Sequence, residues 1–189
     1  MLFSFEEAIG FCVGTNVVDK DGICAAVVLA ELALASASEA VDLVDRLHSI
    51  YERYGFHANI NSYFICRSPP TIDKIFARIR ADGYPKSIAG QKVVAVRDVT
   101  TGYDSSQPDK KCVFPVQSGH MITFTMANHA IITLRTSGTE PKIKYYTDLR
   151  VAASSEVERQ AGLRALAAFV DVATEELLQP SENGLQRKG

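Results

Sequence analysis

Apolar residues recur along this chain with two different periods, and the change of period near residue 58 divides it. The first part is helical in pattern. Residues 1–19 alternate apolar and small residues and hold no clear long element. Residues 22–36 are rich in Ala and Leu and apolar around much of the helical circumference, which demands burial on several sides. Asp19-Lys20-Asp21-Gly22 punctuates the chain just before this helix, and Asp21 is placed to cap it. Asp42 is placed to cap a second helix, with Asp45 near the positive end of its dipole. Leu43, Leu47, Ile50, Tyr51 and Tyr54 follow at near-helical spacing, and Gly55 is a C-terminal stop. Two helices with barely any strand make a poor independent domain, so this segment reads as the tail of something larger.

From Asn59 the period shortens to two. Residues 59–67 predict a strand with Ile60, Ser62, Phe64 and Cys66 on one face and Tyr63 and Ile65 on the other. Pro69-Pro70-Thr71 opens a helix carrying Ile72, Ile75, Phe76 and Ile79, ended by Gly83 and Pro85. Strands are predicted over 92–99, 121–126, 130–134 and 143–149, the middle two joined at Asn128-His129. Residues 100–112 form a polar loop. A helix over 155–178 closes the core with Leu163, Leu166, Phe169, Val170, Ala173 and Leu177, and residues 180–189 are polar and expected to fray. The order β-α-β-β-β-β-α predicts an α+β domain, an antiparallel sheet with helices on one side.

Composition narrows the classes. The chain has 189 residues and is 47% hydrophobic and 22% charged, enough to build a core. Its net charge of −2 argues against a chain-wide affinity for nucleic acid. No apolar run reaches the ~20 residues a membrane helix needs. Cys12, Cys24, Cys66 and Cys112 are scattered without a C-x-x-C pair, which reads as reduced thiols in the cytosol rather than a zinc site. His48, His57, His120 and His129 are isolated and read as structural or exposed.

The chemistry concentrates in Arg135-Thr136-Ser137-Gly138-Thr139-Glu140-Pro141-Lys142-Ile143-Lys144, just past the predicted strand ending at Leu134. A guanidinium forks onto two phosphate oxygens, and hydroxyls donate to others. Gly138 lets main-chain N–H groups approach an anion with no Cβ in the way. The plainer alternative is a surface turn whose Ser and Thr bond to their own backbone.

Four stretches resemble the C-terminal end of the α-D-phosphohexomutases: Phe5-Glu6-Glu7-Ala8-Ile9-Gly10-Phe11, Asp19-Lys20-Asp21-Gly22, the loop Thr100 to Lys111, and Arg135 to Tyr146. The last is the most specific. The resemblance covers nearly the whole chain and is nearest the subgroup of phosphoglucomutase 2, phosphopentomutase and glucose-1,6-bisphosphate synthase. Family members carry a phosphorylated serine, an Asp-Gly-Asp-Gly-Asp loop holding Mg²⁺, a sugar loop and a phosphate loop on four successive domains. The resemblance implies that residues 1–55 are the end of the third, α/β domain. Residues 58–180 are then the fourth, built like the TATA-binding protein, and 181–189 a polar tail.

The serine motif and the Mg²⁺ loop are absent from this sequence. Asp19-Lys20-Asp21-Gly22, with a lysine between two carboxylates, is wrong for a hard-cation cage, so no metal or cofactor is expected in this chain. Mg²⁺ and glucose 1,6-bisphosphate are implied only for a full-length enzyme. Phosphoryl transfer needs a nucleophile, charge neutralisation and positioning groups. This sequence keeps the positioning groups. The expectation is a cytoplasmic sugar-phosphate-binding portion of a mutase that interconverts sugar 1-phosphate and 5- or 6-phosphate. It would be inactive alone and would need the missing N-terminal domains: a truncated product, an incomplete gene model or an excised piece.

The resemblance also assigns roles. Arg135, Ser137, Gly138, Thr139 and Lys144 clamp the non-reacting phosphate. Lys142 either joins them or is a solvated lysine. Glu140 turns outward or pairs with a lysine. Glu6 accepts hydrogen bonds from sugar hydroxyls. Ala8 stands where many members have a sugar-contacting serine, which fits a relaxed preference that includes pentoses. Lys20 matches a lysine near the transferring phosphate, where it stabilises charge, exchanges a proton, or is merely a helix-start lysine. The Thr100–Lys111 loop serves interdomain packing or closure. Two other classes compete: a non-catalytic module that senses sugar phosphates or docks on a mutase, and a nucleic-acid binder using the sheet, which the net charge disfavours.

Overall fold

The computed structural model describes residues 3–6 and 9–188. Glu7 and Ala8 therefore lie outside the described residues, and so does any test of the expectation for Ala8. The chain divides into two units, Met1–Tyr54 and Gly55–Gly189.

The first unit begins with a hairpin that the sequence pattern did not reveal. Strand β1 (Phe3–Glu6) pairs antiparallel with β2 (Gly10–Val13), Glu6 lying opposite Gly10. Helix α1 (Gly22–Ser38) starts where the Asp21 side chain accepts from the Ile23 N–H. Helix α2 (Leu43–Tyr54) starts at Asp42, whose carboxylate accepts from Asp45 N–H at 2.7 Å. Gly55 follows it at φ 91°, the stop that the sequence predicts. Arg46 ties the two helices by donating to Ser36 Oγ and Glu39. Much of α1 is bare: Ile23, Val27, Leu29 and Leu34 are exposed.

The second unit carries the core. Its elements are β3 (Phe56–Ala58), β4 (Ser62–Ile65), α3 (Pro69–Arg80), a 3-10 turn (Ala81–Gly83), β5 (Ser87–Ile88), β6 (Gln91–Asp98), β7 (Tyr103–Asp104), β8 (Met121–Met126), β9 (Ile131–Thr136), β10 (Lys142–Val151), α4 (Glu156–Leu178) and β11 (Gln186–Arg187). The sheet runs β11-β4-β10-β9-β8-β6-β5, with β3 on β10 and β7 on β6, and every pairing is antiparallel. Ser68 and Pro69-Pro70 open α3, and a Ser155/Glu158 capping box opens α4.

Alternation decides the two faces. Phe64, Ile122, Phe124, Ile132, Leu134, Ile143 and Tyr145 are buried against Ile75, Phe76 and Ile79 of α3 and Leu166, Val170 and Ala173 of α4. Helices thus cover one face, and the fold is the α+β arrangement that the pattern predicts. The opposite face carries polar and charged side chains. Residues 180–188 correct the expectation of a frayed tail. β11 pairs with the β4 edge, Arg187 opposite Phe64, and Arg187 reaches Asp171 at 3.0 Å. Polar edge strands give no apolar signal, because one side of them faces water.

Asp98 anchors one end of the sheet. It is fully buried and accepts from Arg80 Nε at 2.6 Å, Tyr84 Oη at 3.1 Å and Thr100 N–H at 3.0 Å. Burial alone pushes this carboxyl up. The Arg80 guanidinium, the Tyr84 hydroxyl and the Thr101 N–H outweigh it and hold the carboxyl below its ordinary value.

Candidate functional site

The register of the sheet assembles the site. Met121, Arg135, Lys144 and Tyr63 are successive cross-strand partners on β8, β9, β10 and β4, so all four share the uncovered face. Directly opposed residues stand about 4.5–5.5 Å apart at Cα, and like charges so placed repel. Arg135 is exposed, and among the described residues no hydrogen bond or ion pair engages its guanidinium. The next row, Arg97, Thr123, Thr133 and Tyr146, continues the polar face, with Thr123 and Thr133 hydroxyls 2.8 Å apart.

The loop from Ser137 to Pro141 closes the β9–β10 hairpin. Ser137 N–H donates to the Lys142 carbonyl at 2.9 Å, and Cys66 N–H to that of Pro141 at 2.9 Å. Among the described residues, no hydrogen bond uses the Ser137 or Thr139 hydroxyls or the N–H groups of Gly138, Thr139 and Glu140. The loop is therefore not the self-bonded Ser-Gly-Thr turn of the plainer reading. A Cβ at Gly138 would meet no atom within 4 Å, and its φ is not positive, so the fold itself makes no demand for glycine there.

Lys142 and Glu140 resolve each other. Their side chains meet at 2.7 Å, and the Lys142 ammonium also lies 4.2 Å from the Tyr63 ring centroid. Hydrogen bonding to Lys142 holds the Glu140 carboxyl low, with Lys144 contributing, and the same pair raises the Lys142 ammonium. Glu140 thus takes the paired alternative, and the Lys142 charge is already matched.

In the first unit, Glu6 and Lys20 meet at 3.4 Å, both half-exposed. The sequence does not show this pairing. Gly10, opposite Glu6, makes it possible: a Cβ there would lie 2.5 Å from Lys20 Cδ and 3.1 Å from Glu6 Oε1. The carboxylates of Asp19 and Asp21 are turned to the backbone N–H groups of Lys20 and Ile23. They do not form a cation cage, and among the described residues no group of three or more His, Cys, Asp or Glu is placed to hold a metal.

The Thr100–Lys111 loop is braced from within. Buried Asp104 accepts from Arg97 Nε at 2.6 Å and from the Ser106 N–H and hydroxyl, and Lys110 Nζ donates to the Ser105 carbonyl at 2.7 Å. Among the described residues no single helix is long and apolar enough to cross a membrane. The α1–α2 pair, apolar enough together, is bent by 91°.

No family model matches the chain. Individual relatives do. The chain is 50% identical over 191 residues to human glucose 1,6-bisphosphate synthase, covering 98% of itself and 30% of that protein. It is 46% identical to human phosphopentomutase over 193 residues, covering 100% of itself and 31% of the relative. By sequence, the chain is similar to one stretch of these phosphomutases. Yeast phosphoribomutase, from Saccharomyces cerevisiae, is 32% identical with 98% of this chain covered. The chain spans only about 30% of the length of these curated relatives. Its fold matches the open form of pp63/parafusin, a phosphoglucomutase from Paramecium, with a TM-score of 0.61 at 15% identity, over 94% of this chain and 30% of that one. That likeness speaks for the phosphomutase fold alone.

Proposed function

We propose that this chain is the sugar-phosphate-binding portion of a phosphomutase that interconverts sugar 1-phosphates with 5- or 6-phosphates through a bisphosphate. The observation that carries this reading is the opposition of two like charges, Arg135 and Lys144, beside unused hydroxyls and amides. A dianion seated there accepts from Arg135, from the hydroxyls of Ser137 and Thr139 and from the amides beginning at Gly138, and it relieves the repulsion. Lys142, neutralised by Glu140, acts as a wall of the site rather than a net charge. Glu6 takes the sugar hydroxyls, and Lys20, held beside it, supplies positive charge near the transferring phosphoryl group. Ala8 offers no hydroxyl to the sugar, which suits tolerance of pentoses.

Mutase activity then belongs to a longer polypeptide or assembly. Phe3, Phe11, Val13, Leu29 and Leu32 line an apolar groove of about 550 Å³ in the first unit. A groove of this chemistry suits a layer from the remainder of the enzyme, whose relatives are some three times longer. Mg²⁺ would belong to that remainder.

Calorimetric titration of this chain with glucose 1,6-bisphosphate, ribose 1-phosphate and free glucose tests the reading. Binding of the phosphorylated sugars and not of glucose is expected. Equal response to all three, or to none, defeats it.

A further inference from the structure

Gly119-His120 lies against Thr136, at the start of the loop that follows β9. His120 N–H donates to Thr136 Oγ1 at 2.9 Å, and Thr136 N–H donates to the His120 carbonyl at 2.9 Å. Thr136 is the residue between Arg135 and Ser137, so this reciprocal pair fixes the backbone from which both groups of the clamp project. Contact is close because residue 119 is glycine: a Cβ there would stand 3.0 Å from Thr136 Oγ1. From the other side, Thr100 Oγ1 donates to the Gly119 carbonyl at 3.1 Å and accepts from Met121 N–H at 2.9 Å.

The His120 ring ties this segment to helix α3. It stacks on Phe76 with centroids 4.4 Å apart and planes 12° from parallel. Arg80 Nη1 lies 3.1 Å from Nδ1, and Asp73 Oδ1 lies 2.9 Å from Nε2. A guanidinium only donates, so Nδ1 must accept, which leaves the proton on Nε2 to be donated to Asp73. Arg80 is itself fixed by buried Asp98. The chain of contacts runs from the sheet's buried carboxylate through Arg80 and His120 to Thr136.

We propose that His120 is a positioning residue for the phosphate loop, acting through Thr136. The proposal rests on the phosphate-clamp reading of Arg135, Ser137 and Thr139. It adds that the loop's geometry is imposed from the helix-covered side of the sheet through one histidine, so that free amides and hydroxyls are pre-arranged for the anion.

The test uses the full 189-residue chain and four variants: Thr136→Val, Thr136→Ser, His120→Ala and Arg135→Ala. The first readout needs no ligand: exchange protection of the Ser137 amide, which is bonded to Lys142 in the hairpin. Protection is expected to fall in Thr136→Val and His120→Ala and to return in Thr136→Ser. The second is affinity for glucose 1,6-bisphosphate. A loss on the order of tenfold is expected in both Thr136→Val and His120→Ala, with little further loss when they are combined, since both break one linkage. Full Ser137 protection in Thr136→Val, or independent, additive losses, overturns the proposal. Should His120→Ala lose cooperative unfolding, Asp73→Asn, which changes an exposed partner of the ring, replaces it. Arg135→Ala separates the two readings. If it leaves affinity intact, the clamp is wrong; if it weakens binding while the Thr136 and His120 variants do not, only the positioning claim fails.

Discussion

Arg135 and Lys144 are direct cross-strand partners on the uncovered face of the sheet. Two cations in that relationship cost stability in the empty protein and gain it back from an anion. Arg135→Ala should therefore leave the unfolding midpoint unchanged or slightly raised. It should weaken sugar-phosphate binding by about 1.5–3 kcal/mol, the worth of a charge-assisted hydrogen bond. Thermal melts and calorimetry on one preparation measure both. A midpoint lowered in step with affinity would assign Arg135 to the fold instead.

Gly138 separates fold from function in the same way. Its side-chain space is open and its backbone is one that alanine adopts. Gly138→Ala should fold with wild-type stability or a few tenths of a kcal/mol more. It should bind glucose 1,6-bisphosphate several-fold more weakly, because a methyl group crowds the amides. Unchanged affinity removes the loop amides from the site.

Acid should loosen the sheet end held by Asp98. Its carboxyl is depressed in the folded protein, so it contributes stability above its unfolded value, about 3.9. That contribution is lost as pH falls through the lower, folded value. At pH 7, Asp98→Asn should cost about 3–5 kcal/mol, as for a broken buried pair. Urea midpoints of wild type and variant should converge as pH drops below about 4. A constant gap down to pH 2 would contradict the assignment.

Glu6 and Lys20 are a solvent-washed pair, and such pairs contribute ~0–1 kcal/mol. Glu6→Gln should leave stability within that range. In an assembled, active enzyme it should lower turnover with hexose and pentose phosphates alike. Normal kinetics in that variant would return Glu6 to the solvent.

Hydrogen exchange should divide the chain. The buried apolar core lies between Ala58 and Leu178, whereas in the first unit Ser36 is the only described residue classed as buried. Amides of α1 and α2 should exchange orders of magnitude faster than those of β8, β9 and β10. Equal protection in both segments counts against this picture.

The second unit was largely legible in sequence because its periods were unmixed. Phe64 and Cys66 fall on the buried side as their alternation predicts, and Asp42, Ser155 and Gly55 stand at helix ends for reasons of local chemistry. The β1–β2 hairpin is not legible because each strand has only four residues, too short a run for alternation to distinguish a strand. His120 looked isolated because its partners, Asp73 and Arg80, lie 47 and 40 residues away. Spacing reports neighbours along one element. It does not report which distant element a loop side chain will reach, and both Glu6–Lys20 and His120–Asp73 are contacts of that kind.

The bare flank of α1 has a cost in the cell. A seventeen-residue helix that shows Ile23, Val27, Leu29 and Leu34 to water is a target for chaperones and proteases. The steady-state amount of this polypeptide should therefore track the supply of whatever covers that flank, and a surplus made without it should be short-lived.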